Sequence, residues 1–418
     1  MLVNKQFRRR KADVLGDAGL AQRIEKVVGR DALRWYVAQV SETEIVIEAT
    51  VDTDSPGPLP PSAKGRHYAG KTALLSIVPT GVGCEIGGYA GDAAPASHLL
   101  ASTVDYLVTN PNAVNASNFI GLDSDKMVYT DGFSIDLLIK GCVDLFIPYA
   151  NKVGLIIEQA DDRQLDIVFN VVNTVRAVHG VALEEIIITN RPIGGRCVRN
   201  ESGAFAGTID HPETLFNACE QLISRGVNAI AVTSNIQDLP MDYYAKHFDG
   251  SFPNPVGGVE AIISYSVAAR FQLPVAHAPL INVKPFDLKH NVVDARGAGE
   301  MASESGLACI LIGLRKAPQI AAERARPVKD IININNLLAV VGPASCLGGI
   351  PAIYAQEYGI RLIAVEENGT ILGANCARMM LDNVIPVKNY SEAAGVVLAL
   401  KHGISLASLT RPLKTIRY

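Results

Sequence analysis

From Lys71 onward, short unbroken apolar runs alternate with amphipathic stretches. The runs are Leu74–Val78, Tyr106–Thr109, Gly154–Glu158, Glu185–Thr189, Ala229–Thr233, Pro274–His277, Ala308–Gly313, Leu337–Val341 and Leu362–Glu366. Most are rich in Ile and Val and lack the polar alternation of a half-exposed sheet. That pattern predicts parallel strands covered on both faces. The clearest helix follows Asp210. Asp210 and Glu213 have capping-box spacing, Pro212 stands at the start, and Leu215, Phe216, Cys219, Leu222 and Ile223 form one stripe that Gly226 ends. The alternation predicts an α/β fold, doubly wound, with largely parallel sheets.

The first 53 residues read differently. Gln22–Val28 is helix-like, Leu33–Val40 follows, and Glu44–Val51 alternates as a strand does. This is a small N-terminal α+β appendage, too short to hold a core alone, that packs on the body or on a partner subunit. Residues 54–70, with four prolines between Asp54 and Gly65, read as a linker. Residues 71–418 then form the α/β catalytic body, in one lobe or two.

Composition narrows the partners. The chain has 418 residues, 48% hydrophobic and 19% charged, with 38 Lys and Arg against 42 Asp and Glu. Such a balance excludes intrinsic disorder and argues against nucleic acid or an anionic membrane as the main partner. Seven cysteines without a CxxC pair read as reduced thiols, so the expected location is cytoplasmic. No run approaches the roughly 18 apolar residues of a membrane span. A homo-oligomer is compatible with all of this.

Two loops compete as ligand sites. Gly65-Arg-His-Tyr-Ala-Gly-Lys71-Thr72 has P-loop spacing, but a proline linker precedes it and an apolar strand follows, so the context for phosphate binding is wrong. The loop from Thr80 to Asp92 follows a strand and runs into a helix. Its glycines, Gly81, Gly83, Gly87 and Gly88, suit an anion-binding turn. They do not have dinucleotide spacing, and the next strand ends at Thr109-Asn110 without an acid for a ribose, so no cofactor is predicted. Gly194-Gly195, Gly257-Gly258 and Gly348-Gly349 add diglycine turns after strands. Gly257-Gly-Val-Glu-Ala-Ile echoes Gly348-Gly-Ile-Pro-Ala-Ile. Together they suggest a rim of backbone N–H groups at the carboxyl edge of the sheet, though each pair alone can be a tight turn.

The run Pro79-Thr80-Gly81-Val82-Gly83-Cys84-Glu85-Ile86-Gly87-Gly88-Tyr89-Ala90-Gly91-Asp92-Ala93 resembles the opening signature of DUF3326, an uncharacterised family best represented in cyanobacteria. Thr109-Asn110-Pro111-Asn112, Pro274–Pro279 and Ile363–Asn368 are similar to further family segments, in the same order. The resemblance covers roughly residues 74–405. It implies a fold-sized unit and residue candidates, not a reaction. The family signature usually has a small residue where Cys84 stands, which weakens Cys84 as a catalytic candidate.

The chemistry must come from strand ends. Cys346 lies in a turn before a helix, where amides and the helix dipole would favour a thiolate; the alternative is a small buried hydrophobe. Ser345 can substitute for it. His277 closes one strand, Glu366 and Glu367 close another with one of the two facing inward, and Asp92 opens a helix. No metal-ligand spacing appears, although His277, Glu366 and Asp92 could assemble one. Asn110 stands at a strand end, and Arg191 and Arg196 offer forks for an anion. The expected function is an enzyme acting on a small anionic metabolite by acid–base or thiol chemistry, as isomerase, lyase or hydrolase. The alternative is a nucleotide- or phosphometabolite-binding protein without catalysis.

Overall fold

The computed structural model describes residues 2–16, 19–54, 70–86, 92–110, 125–237, 241–280, 292–298 and 306–417. Residues 55–69 of the linker expected over 54–70 lie outside them, as do Gly87 and Gly88. The apolar runs form two parallel sheets. The larger contains β4 (Ala73–Ser76), β5 (Tyr106–Thr109), β6 (Met127–Tyr129), β16 (Leu337–Pro343), β17 (Arg361–Val365) and β18 (Val384–Val387). Its order is β18-β17-β16-β4-β5-β6, and every neighbouring pair is parallel. The smaller contains β8 (Lys152–Ile157), β9 (Ala182–Ile188), β12 (Ala229–Ser234) and β14 (Val275–Pro279), in the parallel order β14-β12-β8-β9.

Both sheets are covered on both faces, which is why their strands are continuously apolar. On the larger sheet, helices Ala94–Thr103 and Tyr390–Lys401 pack one face around Leu74, Leu107, Val341 and Ile363. Helices Gly132–Ile139 and Ile350–Glu357 pack the other around Leu75, Val108 and Val340. On the smaller sheet, Asp162–His179 and Gly306–Leu314 cover Leu155, Ala231 and Ala276. Pro212–Ser224 and Gly257–Phe271 cover Ile156, Ile230 and Val275. The doubly wound α/β expectation holds for each.

Two local expectations fail. Ala308–Gly313 lies in a helix, Gly306–Leu314, not a strand. A short apolar run cannot separate the two by periodicity. Gly313 lets this helix approach Tyr129, because a Cβ there would stand 2.7 Å from the ring. Asp210 also does not cap the Pro212–Ser224 helix. Its N-cap is His211 without a side-chain bond, and Asp210 pairs instead with Arg196 at 2.6 Å.

The remaining strands form smaller, mostly antiparallel sheets. β7 (Leu145–Pro148) pairs with β15 (Val328–Ile332), and β10 (Gly195–Arg199) with β11 (Phe205–Ile209); β13 (Ile236–Gln237) joins β10 in parallel. The N-terminal unit is a three-stranded sheet, β1 (Leu2–Arg10), β3 (Glu44–Asp52) and β2 (Ala32–Val40), in the order β1-β3-β2. Helix Leu20–Val28 covers it, with Leu20, Ala21, Ile24 and Val28 buried. This unit touches both lobes. Val37 N–H donates to Gly348 O and Gly373 N–H to Ala38 O, each at 2.9 Å, on the larger-sheet side. Asn4 Nδ2 donates to Gly207 O at 2.9 Å, and the buried Glu48 accepts from Asn200 Nδ2 at 2.8 Å and from Tyr36 Oη, on the hairpin side.

Candidate functional site

Open α/β sheets bind ligands outside the carboxyl ends of their strands, where the winding reverses. The larger sheet reverses between β4 and β16, where the loops at 77–86 and 344–349 meet. That crevice is filled by the chain itself. Val78, Val82, Cys84, Ala93, Ala204 and Leu372 form an apolar cluster with Ala38 of the N-terminal unit. Asn110 gives its side chain to Val78, accepting from the amide at 2.9 Å and donating to the carbonyl. A Cβ on Gly348 would stand 2.7 Å from Val37 Cβ and 2.9 Å from Ala374 Cβ. Gly348 and Gly349 therefore seat β2, with Tyr36 bridging to Gly349, and are not an open amide rim.

Most of the expected catalytic groups fall here and do not suit the role. Cys346 packs against the apolar cluster, and burial pushes its thiol up to about 12, so no thiolate is favoured. Ser345 Oγ is bonded to Thr370 Oγ1 at 2.8 Å and accepts from Thr370 N–H at 3.0 Å. Glu366 and Glu367 are both exposed. The inward residue is Asn368, fully buried, which accepts from Ile86 N–H and Cys84 Sγ at 3.0 Å and donates to Tyr390 Oη at 2.7 Å. Asp92 is half-buried and acts electrostatically on Cys84 and Tyr390. His277, Glu366 and Asp92 form no metal cluster, and no group of three such ligands exists among the described residues. Arg191 is exposed, and Arg196 is committed to Asp210.

The smaller sheet reverses between β8 and β12, and its edge is different. Glu158, buried just after β8, accepts from Ile193 N–H at 2.7 Å, Gly194 N–H at 3.3 Å and Asn235 N–H at 2.7 Å. The Gly194 turn is thus occupied by the protein's own carboxylate instead of a ligand anion. Beside it, Ser234 ends β12 and His277 lies on the adjacent β14. Val232 pairs with His277 in register, and Ser234, two residues on, shares its face. Ser234 Oγ and His277 Nε2 are 2.7 Å apart, and His277 Nδ1 is 3.4 Å from Glu260 Oε1. A carboxylate only accepts, so Nδ1 carries the ring proton and Nε2 accepts from the serine hydroxyl. Ser234 and the His277 side chain are fully buried; Glu260 is 21% exposed.

Glu260 belongs to the helix Gly257–Phe271, and the N-terminus of that helix joins this pair to the Thr80 loop. Thr80 Oγ1 occupies the place a side chain at Gly257 would take. Gly81, at φ +74°, is held where a Cβ would stand 2.8 Å from Phe205 O and 3.5 Å from Gly258 N, and Phe205 N–H donates to Gly81 O at 2.8 Å. Gly83, at φ +66°, completes the turn. Asn254 Oδ1 accepts from Val256 and Gly257 N–H at 3.0 and 3.2 Å, leaving the next turn of the helix to face the loop. Of the expected residues, the structure therefore gathers Thr80, Gly81 and His277 around one helix.

Sequence reading missed Ser234, Glu260 and Tyr129. The Tyr129 hydroxyl is buried with no hydrogen-bond partner among the described residues, and burial with the charges of Asp131 and Glu260 holds it protonated. Asp131, which caps Gly132–Ile139 through Ser134 N–H at 2.8 Å, is itself pushed up to about 6 by burial. A lone serine at a strand end and a glutamate three residues into a helix carry no local signal; only the packing of β12, β14 and the helix unites them.

The chain belongs to the DUF3326 family, described as a protein of unknown function, whose model matches residues 72–410. It is similar to an uncharacterised lipoprotein of Synechococcus sp., with 32% identity over 344 residues that cover 81% of this chain and 93% of the relative. No solved structure matches it. No helix among the described residues is long and apolar enough to cross a membrane.

Proposed function

We propose that this DUF3326 protein is an enzyme that moves a proton through His277 on a small anionic metabolite, using its own side chains. The observation that carries the reading is the placement of His277 between Ser234 Oγ at 2.7 Å and Glu260 Oε1 at 3.4 Å. A histidine so set can exchange a proton with the hydroxyl on one side while a carboxylate faces its other nitrogen. Anion preference is supported by Thr80 and Gly81 packed at the N-terminus of the Gly257–Phe271 helix, where the helix dipole favours negative charge.

The test is substrate depletion. Wild-type protein and His277→Asn are incubated with a bacterial metabolite extract and followed by liquid chromatography with mass spectrometry. Wild type should consume an anionic metabolite that His277→Asn leaves intact. Stoichiometric retention of a metabolite by both proteins, without conversion, would replace this reading with the binding protein that the full burial of Ser234 and His277 favours.

We place the protein in the cytoplasm because its seven cysteines are all free, as a reducing compartment allows. The relative's name as a lipoprotein makes membrane attachment the competing location. Cell fractionation separates the two.

A further inference from the structure

We propose that Ser234 is a nucleophile and that the substrate is an acyl ester or thioester, an inference that rests on the acid–base reading of His277 and names its reaction. Ser234, His277 and Glu260 stand in hydrogen-bond sequence, nucleophile to base to orienting carboxylate, which is the arrangement that activates a hydroxyl. All three are set by regular elements: Ser234 and His277 by neighbouring strands, Glu260 by the helix that covers them. The 3.4 Å separation on the carboxylate side is that of a resting site, in which such bonds are long until substrate is bound.

An activated serine hydroxyl attacks an acyl carbon, which sets the substrate class. Ser234 pairs in register with Pro279. The Thr80 loop, packed on the helix that carries Glu260, suits an anionic leaving part. The amide after Ser234 is not free to hold an oxyanion, because Asn235 N–H donates to Glu158 Oε2 at 2.7 Å. That role falls to the Tyr129 hydroxyl, which is buried, feels the charge of Glu260 and is bonded to no acceptor among the described residues.

The chemistry balances with water as the second reactant. Ser234 Oγ attacks the carbonyl carbon as its proton passes to His277 Nε2. The Oγ–C bond forms, the bond from carbon to the leaving oxygen or sulfur breaks, and His277 returns the proton to the leaving group. Water then adds to the acyl carbon with its proton going to His277, the Oγ–C bond breaks, and Ser234 recovers its proton as the carboxylic acid leaves.

The probe is an alkyl fluorophosphonate, which phosphonylates an activated serine with loss of fluoride. Peptide mass mapping of the full chain should find one adduct, on Ser234, absent in Ser234→Ala. His277→Ala should slow adduct formation by roughly 100-fold or more, the size of a general-base contribution, and Tyr129→Phe should slow it less. Circular dichroism verifies that each variant is folded. No adduct on Ser234 in wild type that still shows His277-dependent depletion of its metabolite would overturn the nucleophile and leave the acid–base reading intact. Loss of both adduct and depletion would end both.

Discussion

Thr80 Oγ1 and Gly257 share one space: a Cβ on Gly257 would overlap the threonine hydroxyl. The glycine is there to let the Thr80 loop reach the helix that carries Glu260. Gly257→Ala should gain a few tenths to about 1 kcal/mol of helix propensity and lose about 1–3 kcal/mol to overpacking, for a net loss of stability. Thermal unfolding should show a lower midpoint, and metabolite depletion should fall, because the loop is pushed from the site. An unchanged midpoint would mean that Thr80 simply rotates away.

Gly348 and Val37 make the same kind of contact at the other edge, and it carries the N-terminal unit. A Cβ at Gly348 would meet Val37 Cβ at 2.7 Å, beside the Val37 N–H to Gly348 O bond of 2.9 Å. Trp35, Val37, Ile45 and Ile47 share one core with Leu75, Val108 and Val340 of the large sheet. Gly348→Ala should therefore cost about 1–3 kcal/mol in urea denaturation, and a chain lacking residues 1–53 should bind a hydrophobic dye. A truncated chain with wild-type stability would show the unit to be a detachable accessory.

Cys346 should be a slow thiol. Its pKa is pushed up to about 12 by burial, so the thiolate is scarce at pH 7. Iodoacetamide should modify it more slowly than it modifies free glutathione, as mapped by peptide mass spectrometry. Faster labelling would restore it as a nucleophile candidate.

Asp136 links stability to pH. Burial raises it from 3.8 to about 7, against the opposing influence of Lys140, the bond from Tyr265 Oη at 3.0 Å and Arg34, and with the repulsion of Asp131. A folded-state pKa above the unfolded value means that the folded chain holds the proton more tightly. This contribution is complete below about pH 4 and is lost as pH rises through about 7. Urea denaturation should show wild type losing stability relative to Asp136→Asn across that window. A constant difference would show that Asp136 is ionised in the native state throughout.

The parallel sheets were legible because strands buried on both faces must be apolar throughout, as Leu74–Leu75, Leu107–Val108 and Ile230–Val232 are. The same rule misread Ala308–Gly313, since a helix buried all round is equally apolar. The glycines of the Thr80 loop were legible because positive φ leaves a mark in sequence, and His277 because a histidine in an apolar strand stands out. Glu366, Glu367 and Cys346 were misjudged because side-chain direction at a strand end depends on the chain packed above it. There Asn368 turns inward and the N-terminal sheet seals the crevice. Ser234 and Glu260 were invisible for the same reason: their meaning exists only across 43 and 17 residues of chain from His277.

The most direct measurement is the tautomer of His277, read by nitrogen-15 NMR of protein with labelled histidine near pH 7.5. The account predicts a neutral ring with its proton on Nδ1, toward Glu260, and a bare Nε2 accepting from Ser234. A proton on Nε2, with the ring donating to Ser234 and an unprotonated Nδ1 facing the carboxylate, would contradict it, because His277 could then take no proton from the serine.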